Sequence, residues 1–135
     1  MVEKSKGEKT REHILKKTRE VLISQGFYGT SISSIIEATG IKKGNLYYHF
    51  ASKEELGLAV LEDARQEFLS FLRQSLEGDD PLEEILTSAA AIFRELQGKD
   101  FIGGCLFGNT ALEMVDSSPE FARVIRDVFT SWTEE

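Results

Sequence analysis

The stretch that most constrains the fold of this chain is residues 31–50, which read SISSIIEATGIKKGNLYYHF. Its apolar spacing predicts two short helices, and Gly40 lies between them, where a tight turn needs a residue that takes positive φ without cost. In the second helix, residues 43–49, Leu46 lies four positions before Phe50, so both side chains face the core. Two short helices joined in this way predict a helix-turn-helix, whose second helix can enter the major groove of DNA.

The outward side of that second helix carries side chains suited to reading bases. Lys43 can donate hydrogen bonds to guanine O6 and N7, and the small Gly44 lets the helix backbone approach base edges. The rings of Tyr47 and Tyr48 can contact thymine methyl groups, and their hydroxyls can reach phosphates. We therefore predict that this helix reads DNA sequence.

Neighbouring polar groups are suited to binding the phosphate backbone. Asn45, His49 and Lys53 can each hydrogen-bond a phosphate oxygen. The preceding helix begins at Thr30 and Ser31, where free amides and the positive end of the helix dipole favour an anion. The predicted DNA-contacting residues are Thr30, Ser31, Lys42, Lys43, Gly44, Asn45, Tyr47, Tyr48, His49 and Lys53.

The charge of the chain is divided unevenly between its two parts. Residues 1–56 hold ten Lys and Arg against seven Asp and Glu, a net charge of +3, although the whole chain carries −7. Residues 57–135 hold six against sixteen, a net charge of −10. This asymmetry suggests that the first part meets a polyanion. An acidic surface that merely keeps the second part soluble explains the charges equally well.

Hydrophobic periodicity and capping signals predict that the rest of the chain is helical too. Residues 1–8 are polar and are expected to form a mobile arm. Ser52 and Glu55 form a capping box before a long helix, and prolines at positions 81 and 119 suit the first turns of two more. No segment alternates like a strand, so the predicted fold is all-α. The further helices are expected at residues 9–25, 53–78, 81–97, 104–115 and 119–132.

The composition indicates a cytoplasmic protein that does not enter a membrane. No apolar run approaches the roughly 20 residues that a membrane span needs, and the charged residues 1–11 do not resemble a signal peptide. The single cysteine, Cys105, cannot form an internal disulfide and suits a reducing compartment. A redox-sensing thiol beside Gly103 and Gly104 is one interpretation, but we expect a small buried hydrophobic residue.

No group of residues indicates catalysis or a cofactor. His49 has no second His, Cys or acidic cluster at ligand spacing, and His13 lies on another helix, so no metal site is expected. A helix cap and a solvated face explain the acidic pairs at 79–80 and 83–84 better than catalytic carboxylates do. We therefore predict a protein that is not an enzyme and needs no cofactor.

Four segments resemble the DNA-binding domain of the tetracycline-repressor (TetR) family. They are FYGTSI at 27–32, IIEATG at 35–40, IKKGNLYYHF at 41–50 and SKEEL at 52–56. The resemblance implies a three-helix DNA-binding domain at residues 9–56 and a helical ligand-binding and dimerisation domain at residues 57–135, which is short for the family. Lys42 departs from the family's usual serine and cannot cap the second helix, and Asn45 stands where threonine is common.

The resemblance also implies a function. It predicts a homodimeric transcriptional regulator that represses by binding a palindromic operator in double-stranded DNA and is relieved by a small-molecule effector. The alternative is a helical ligand-binding or interaction module that has lost operator binding and keeps the motif as a packing unit.

Two groups of apolar residues in the second part suggest where partners bind. Aromatic side chains there could line an apolar effector pocket between helices. One stripe on the last helix is expected to bury itself against a partner subunit. The pocket candidates are Phe68, Phe71, Phe93 and Phe107, and the stripe is Phe121, Ile125, Phe129 and Trp132.

Overall fold

The computed structural model describes residues 2–135, which form seven α-helices and no strand. The predicted all-α fold is therefore confirmed. None of these helices is long and apolar enough to cross a membrane. In chain order they are α1 (Lys6–Gln25), α2 (Ile32–Thr39), α3 (Lys43–His49), α4 (Lys53–Ser75), α5 (Pro81–Gly98), α6 (Leu106–Met114) and α7 (Pro119–Glu134).

Helix α1 begins three residues before the predicted start at residue 9. The Ser5 hydroxyl accepts a hydrogen bond from the Glu8 amide, and the Glu8 carboxylate accepts one from the Ser5 amide. This capping box satisfies free amides at the helix start, so residues 6–8 are helical and the prediction of an arm is wrong for them. Met1, the first residue of that predicted arm, lies outside the described residues.

One apolar core joins the N-terminal and C-terminal parts of the chain. Val60 of α4 and Val128 of α7 are both inaccessible to solvent. The ring of Phe27 packs edge-on against that of Phe121, with 5.0 Å between centroids. The predicted domain boundary between residues 56 and 57 falls inside α4, and α4 packs against both α1 and α7. The two predicted domains are therefore joined through α4 and its buried face.

Helix α5 contributes little to this core. Asp80 caps it as predicted, accepting hydrogen bonds from the first-turn amides. The helix packs on α4, yet its one buried residue is Ser88. Apolar side chains on its other face, among them Leu82 and Leu86, are more than half exposed. This helix therefore presents an apolar face to solvent.

Helix α6 begins two residues later than predicted. Gly103 and Gly104 have φ of 93° and 68°, which helical backbone does not adopt. The Cys105 sulfur then caps the helix and accepts a hydrogen bond from the Gly108 amide at 3.5 Å. Cys105 is exposed, because it lies in a surface loop before the helix, so the expectation of a buried residue is wrong.

The ends of α4 also differ from the prediction. The Ser52 hydroxyl accepts from the Glu55 amide as expected, but the Glu55 carboxylate accepts from the amide of Ala51 instead of Ser52. The helix ends at Ser75, three residues before the predicted stop. The start of α7 at Pro119 is as predicted, with Ser118 as its cap.

Candidate nucleic-acid interface

Helices α2 and α3 form the predicted helix-turn-helix. Ser31 caps α2 by accepting a hydrogen bond from the Ser34 amide, and the Ser34 hydroxyl accepts one from the Ser31 amide. Gly40 ends α2 in the left-handed conformation, with φ 69° and ψ 10°. Because a side chain at that φ would be strained, Gly40 suits the turn, and this prediction is confirmed.

Helix α3 is fixed by its apolar side and not by a cap. Lys42 makes no side-chain cap hydrogen bond, as its chemistry predicts. Leu46 and Phe50 are 1% and 3% exposed, which confirms that they face inward. The Arg11 guanidinium lies over the Phe50 ring at 5.1 Å. Packing therefore holds this seven-residue helix with a fixed face towards solvent.

That solvent face carries side chains that make no hydrogen bond or ion pair among the described residues. Tyr48 is 82% exposed and Tyr47 is 41% exposed, and Lys43 and Asn45 are also exposed. Within residues 2–135 none of these four side chains forms a hydrogen bond or an ion pair. At Gly44 an added Cβ would meet nothing within 4 Å. A surface with unused polar groups and an open backbone can approach a DNA duplex closely.

His49 lies at the edge of this face. Its side chain is partly buried, and its ring meets the Tyr48 ring edge-on at 5.1 Å. It makes no hydrogen bond within the described range. No group of three His, Cys, Asp or Glu residues in that range is placed to hold a metal ion.

The phosphate anchor at the start of α2 differs from the prediction. The amide of Thr30 donates to the Phe27 carbonyl, and its hydroxyl donates to the Gly26 carbonyl at 2.6 Å. Thr30 is also 1% exposed, so its amide and side chain are not free. The Ser31 amide is used in the cap. In the first turn of α2 the amides of residues 32 and 33 have no acceptor among the described residues, whereas the sequence prediction had placed the free amides at Thr30 and Ser31.

Lys53 makes contacts inside the protein that the sequence did not indicate, and its predicted phosphate contact stays a prediction. Its Nζ donates hydrogen bonds to the carbonyls of Phe27 and Thr30, both at 3.1 Å. It also lies 4.3 Å above the centroid of the Phe27 ring. Two of its three N–H groups therefore donate hydrogen bonds inside the protein. The side chain links the turn between α1 and α2 to the start of α4.

Ion pairing leaves the cations at the start of α3 free. Along α1, Lys17 pairs with Glu20 at 3.5 Å and Arg19 pairs with Glu67 at 2.7 Å. Lys42 and Lys43 are exposed and have no carboxylate within ion-pair distance in the described residues. Their charge is therefore available to a polyanion.

The four pocket candidates do not form one group. The Phe68 ring lies 6.4 Å from that of Phe71 and 6.0 Å from that of Phe107. Phe93 instead pairs with Phe101 on the exposed side of α5, with centroids 5.3 Å apart. A cavity of about 10 Å³, bordered by Phe27 and other residues, is lined by none of the four. A pocket built from the other three candidates remains a prediction.

The stripe on α7 is divided between the core and the surface. Phe121 and Ile125 are buried against the rest of the chain, so the expectation that a partner covers them is wrong. Helices α4 and α6 pack on α7, and the Phe27 ring packs edge-on against that of Phe121. Phe129 and Trp132 remain 39% and 45% exposed.

The fold and the exposed α3 define a helix-turn-helix protein with a helical C-terminal part. Two family models match the chain: bacterial regulatory proteins of the tetR family over residues 14–60, and the C-terminal domain of LmrA/YxaF-like transcriptional regulators over residues 81–135. The chain belongs to the TetR family.

Individual relatives agree with this assignment. The chain is 30% identical over 130 residues to the HTH-type transcriptional repressor DhaR of Mycobacterium sp. (strain GP1). This match covers 92% of this chain and 62% of that protein. It is 32% identical over 114 residues to the HTH-type transcriptional repressor NemR of Escherichia coli (strain K12). This match covers 82% of this chain and 57% of that protein. The chain thus spans about three fifths of the length of the curated relatives that it matches.

Solved structures share the fold. A TetR transcriptional regulator from Chloroflexus aurantiacus J-10-FL matches with a TM-score of 0.81 and 34% identity, covering 96% of this chain and 66% of that one. The regulatory protein TetR from Rhodobacter sphaeroides matches with a TM-score of 0.87 and 24% identity, and the match covers 93% of this chain and 67% of that one. At that identity the second likeness concerns the fold alone.

Proposed function

We propose that this chain is a sequence-specific DNA-binding transcriptional regulator that represses its target genes. The observation that carries the proposal is the outer face of α3, where Lys43, Asn45, Tyr47 and Tyr48 are exposed and make no hydrogen bond within the described residues. Bidentate and apolar contacts from such side chains discriminate bases in the major groove. The repressor names of the relatives DhaR and NemR support the same function.

The remaining contacts of the interface position the protein on the duplex. Lys42 and His49 flank the reading face, and the unpaired amides of residues 32 and 33 at the N-terminus of α2 suit a phosphate oxygen. Contacts of this type fix register without reading sequence. We assign to Ser31 the role of the helix cap that orients these amides. Thr30 and Lys53 stabilise the turn that precedes α2.

We further propose that the regulator acts as a homodimer on a palindromic operator and responds to a small-molecule effector. Two reading helices related by a two-fold axis reach half-sites about one helical turn, roughly 34 Å, apart. The exposed Phe129 and Trp132 at the end of α7 suit an interface between subunits. An effector would act by binding one arrangement of the dimer more tightly than the other.

The proposal is tested by selecting duplexes from a randomised DNA pool at about 150 mM salt. We expect an enriched sequence that binds roughly 1,000-fold more tightly than random duplex. Sedimentation of the same sample reports whether the bound species is a dimer. Circular dichroism verifies that the protein is folded. A folded protein that enriches no sequence would refute the proposal and favour a module that has lost operator binding.

A further inference from the structure

The turn between α1 and α2, residues 26–31, is hydrogen-bonded to a carboxylate on one side and to an ammonium group on the other. Its amides at Phe27 and Tyr28 donate to the two carboxylate oxygens of Glu113, at 3.0 Å and 2.5 Å. Its carbonyls at Phe27 and Thr30 accept from the Lys53 ammonium. The peptide groups of the turn are therefore aligned between an anion on α6 and a cation on α4.

The Glu113 contact spans distant parts of the chain. Glu113 lies in the last turn of α6, 86 residues beyond Phe27. Gly26 leaves room for the carboxylate, because a Cβ there would lie 2.9 Å from Glu113 Oε2. A second polar link joins the α1–α2 turn to the segment just after α6, since the Tyr28 hydroxyl lies 2.7 Å from Ser117 Oγ.

We propose that Glu113 is a positioning residue for DNA binding. Both of its oxygens accept from backbone amides whose directions are set by the turn, and charge-assisted hydrogen bonds are about twice as strong as neutral ones. The turn leads directly into α2, which carries α3 behind it. The carboxylate thus fixes where the reading helix lies relative to α6. This inference rests on the proposed DNA-binding function.

The proposal predicts a loss of specific affinity when the carboxylate is changed. In Glu113→Gln one acceptor oxygen becomes an NH₂ group that faces an amide N–H, so one hydrogen bond is replaced by a donor–donor contact. The reading helix then spends less time in the binding orientation, and apparent affinity falls with that fraction. We expect the dissociation constant for the selected duplex to rise about tenfold, with little change for random duplex.

A matched control separates position from charge. Asp116→Asn removes the same negative charge three residues further along, where the side chain is exposed and makes no hydrogen bond among residues 2–135. It is expected to bind the selected duplex at least as well as the wild type. Amide hydrogen exchange at Phe27 and Tyr28 should speed up in Glu113→Gln and remain unchanged in Asp116→Asn.

The outcomes distinguish the two proposals. A wild-type protein that prefers no duplex refutes the DNA-binding function and this role with it. A wild type that binds its duplex while Glu113→Gln matches Asp116→Asn in affinity overturns the positioning role alone. If Glu113→Gln fails to fold, Glu113→Asp keeps the charge but shortens the side chain by one methylene, so the carboxylate reaches the two amides less well, and we expect an affinity weaker by about two- to threefold. Binding equal to the wild type in that variant would also overturn the role.

Discussion

Replacing Lys53 with methionine should destabilise the protein. Methionine keeps an unbranched apolar side chain but removes the ammonium that donates to the carbonyls of Phe27 and Thr30 at 3.1 Å and lies over the Phe27 ring. Two charged hydrogen bonds and a cation–π contact are lost, and the partial exposure of Lys53 lets water replace some of them. We expect a loss of about 2–3 kcal/mol. At about 4 °C per kcal/mol, Tm measured by calorimetry should fall by roughly 10 °C.

Lys43→Met is the matched control for this prediction. Lys43 is exposed and has no hydrogen-bond partner in the described residues, so its removal should change stability by no more than about 0.5 kcal/mol. Because its charge lies on the face assigned to the duplex, its removal should make the slope of log affinity against log salt shallower by up to about 0.9. The reasoning is refuted if Lys53→Met keeps the wild-type Tm and instead reduces the salt slope as Lys43→Met does.

Three further changes test other parts of the structure. Tyr47→Ala should leave Tm unchanged but cost about 1–3 kcal/mol in discrimination between the selected and random duplexes, as measured by fluorescence anisotropy; equal discrimination would contradict its assigned contact. Gly26→Ala should lower Tm, since φ is 75° and the new Cβ would lie 2.9 Å from Glu113 Oε2, and an unchanged Tm would show that the turn adapts. A hydrogen bond from Arg65 lowers the pKa of Glu62 from 4.5, so the pair contributes stability above pH 4.5 that is lost as pH falls through the lower folded value. Arg65→Met should therefore lower Tm slightly at pH 7 and not below the folded pKa, whereas a pH-independent deficit would contradict the pairing.

Local signals in the sequence predict the helices well. The cap at Ser31, the left-handed Gly40 and the proline at position 81 each fix a helix end through interactions within a few residues. The exposed side of α3 follows from the four-residue spacing of Leu46 and Phe50. These features depend on neighbours along the chain, so one sequence contains enough information to place them.

The roles that sequence reasoning missed depend on distant partners. Lys53 lies 26 residues after Phe27, and nothing around it in the sequence indicates that its ammonium turns inward to the α1–α2 turn. Glu113 reads as an ordinary acidic residue on a helix, and its partners lie more than 80 residues earlier. The glycine at position 26 is the one local signal, since a glycine at a helix end suits a backbone with positive φ, here 75°, and leaves room for another group to approach.

The division of apolar surface was also beyond local prediction. The spacing on α7 places Phe121 and Trp132 on one stripe, but only the packed structure shows that the stripe passes from the core to the surface along its length. Likewise the sequence does not distinguish Phe68 from Phe93. In the structure Phe68 packs against aromatic rings such as that of Trp132, whereas Phe93 lies on the exposed side of α5. Which helix covers which face is decided by tertiary packing.

The role of α3 is tested by mapping backbone amide chemical shifts as the selected duplex is added to isotope-labelled protein. We predict that the largest changes occur at residues 42–49 and at the first amides of α2, and that the outer face of α5 is unaffected. Changes confined to residues 57–135, with those of α3 unmoved at saturating duplex, would contradict the assignment of α3 as the DNA-reading helix.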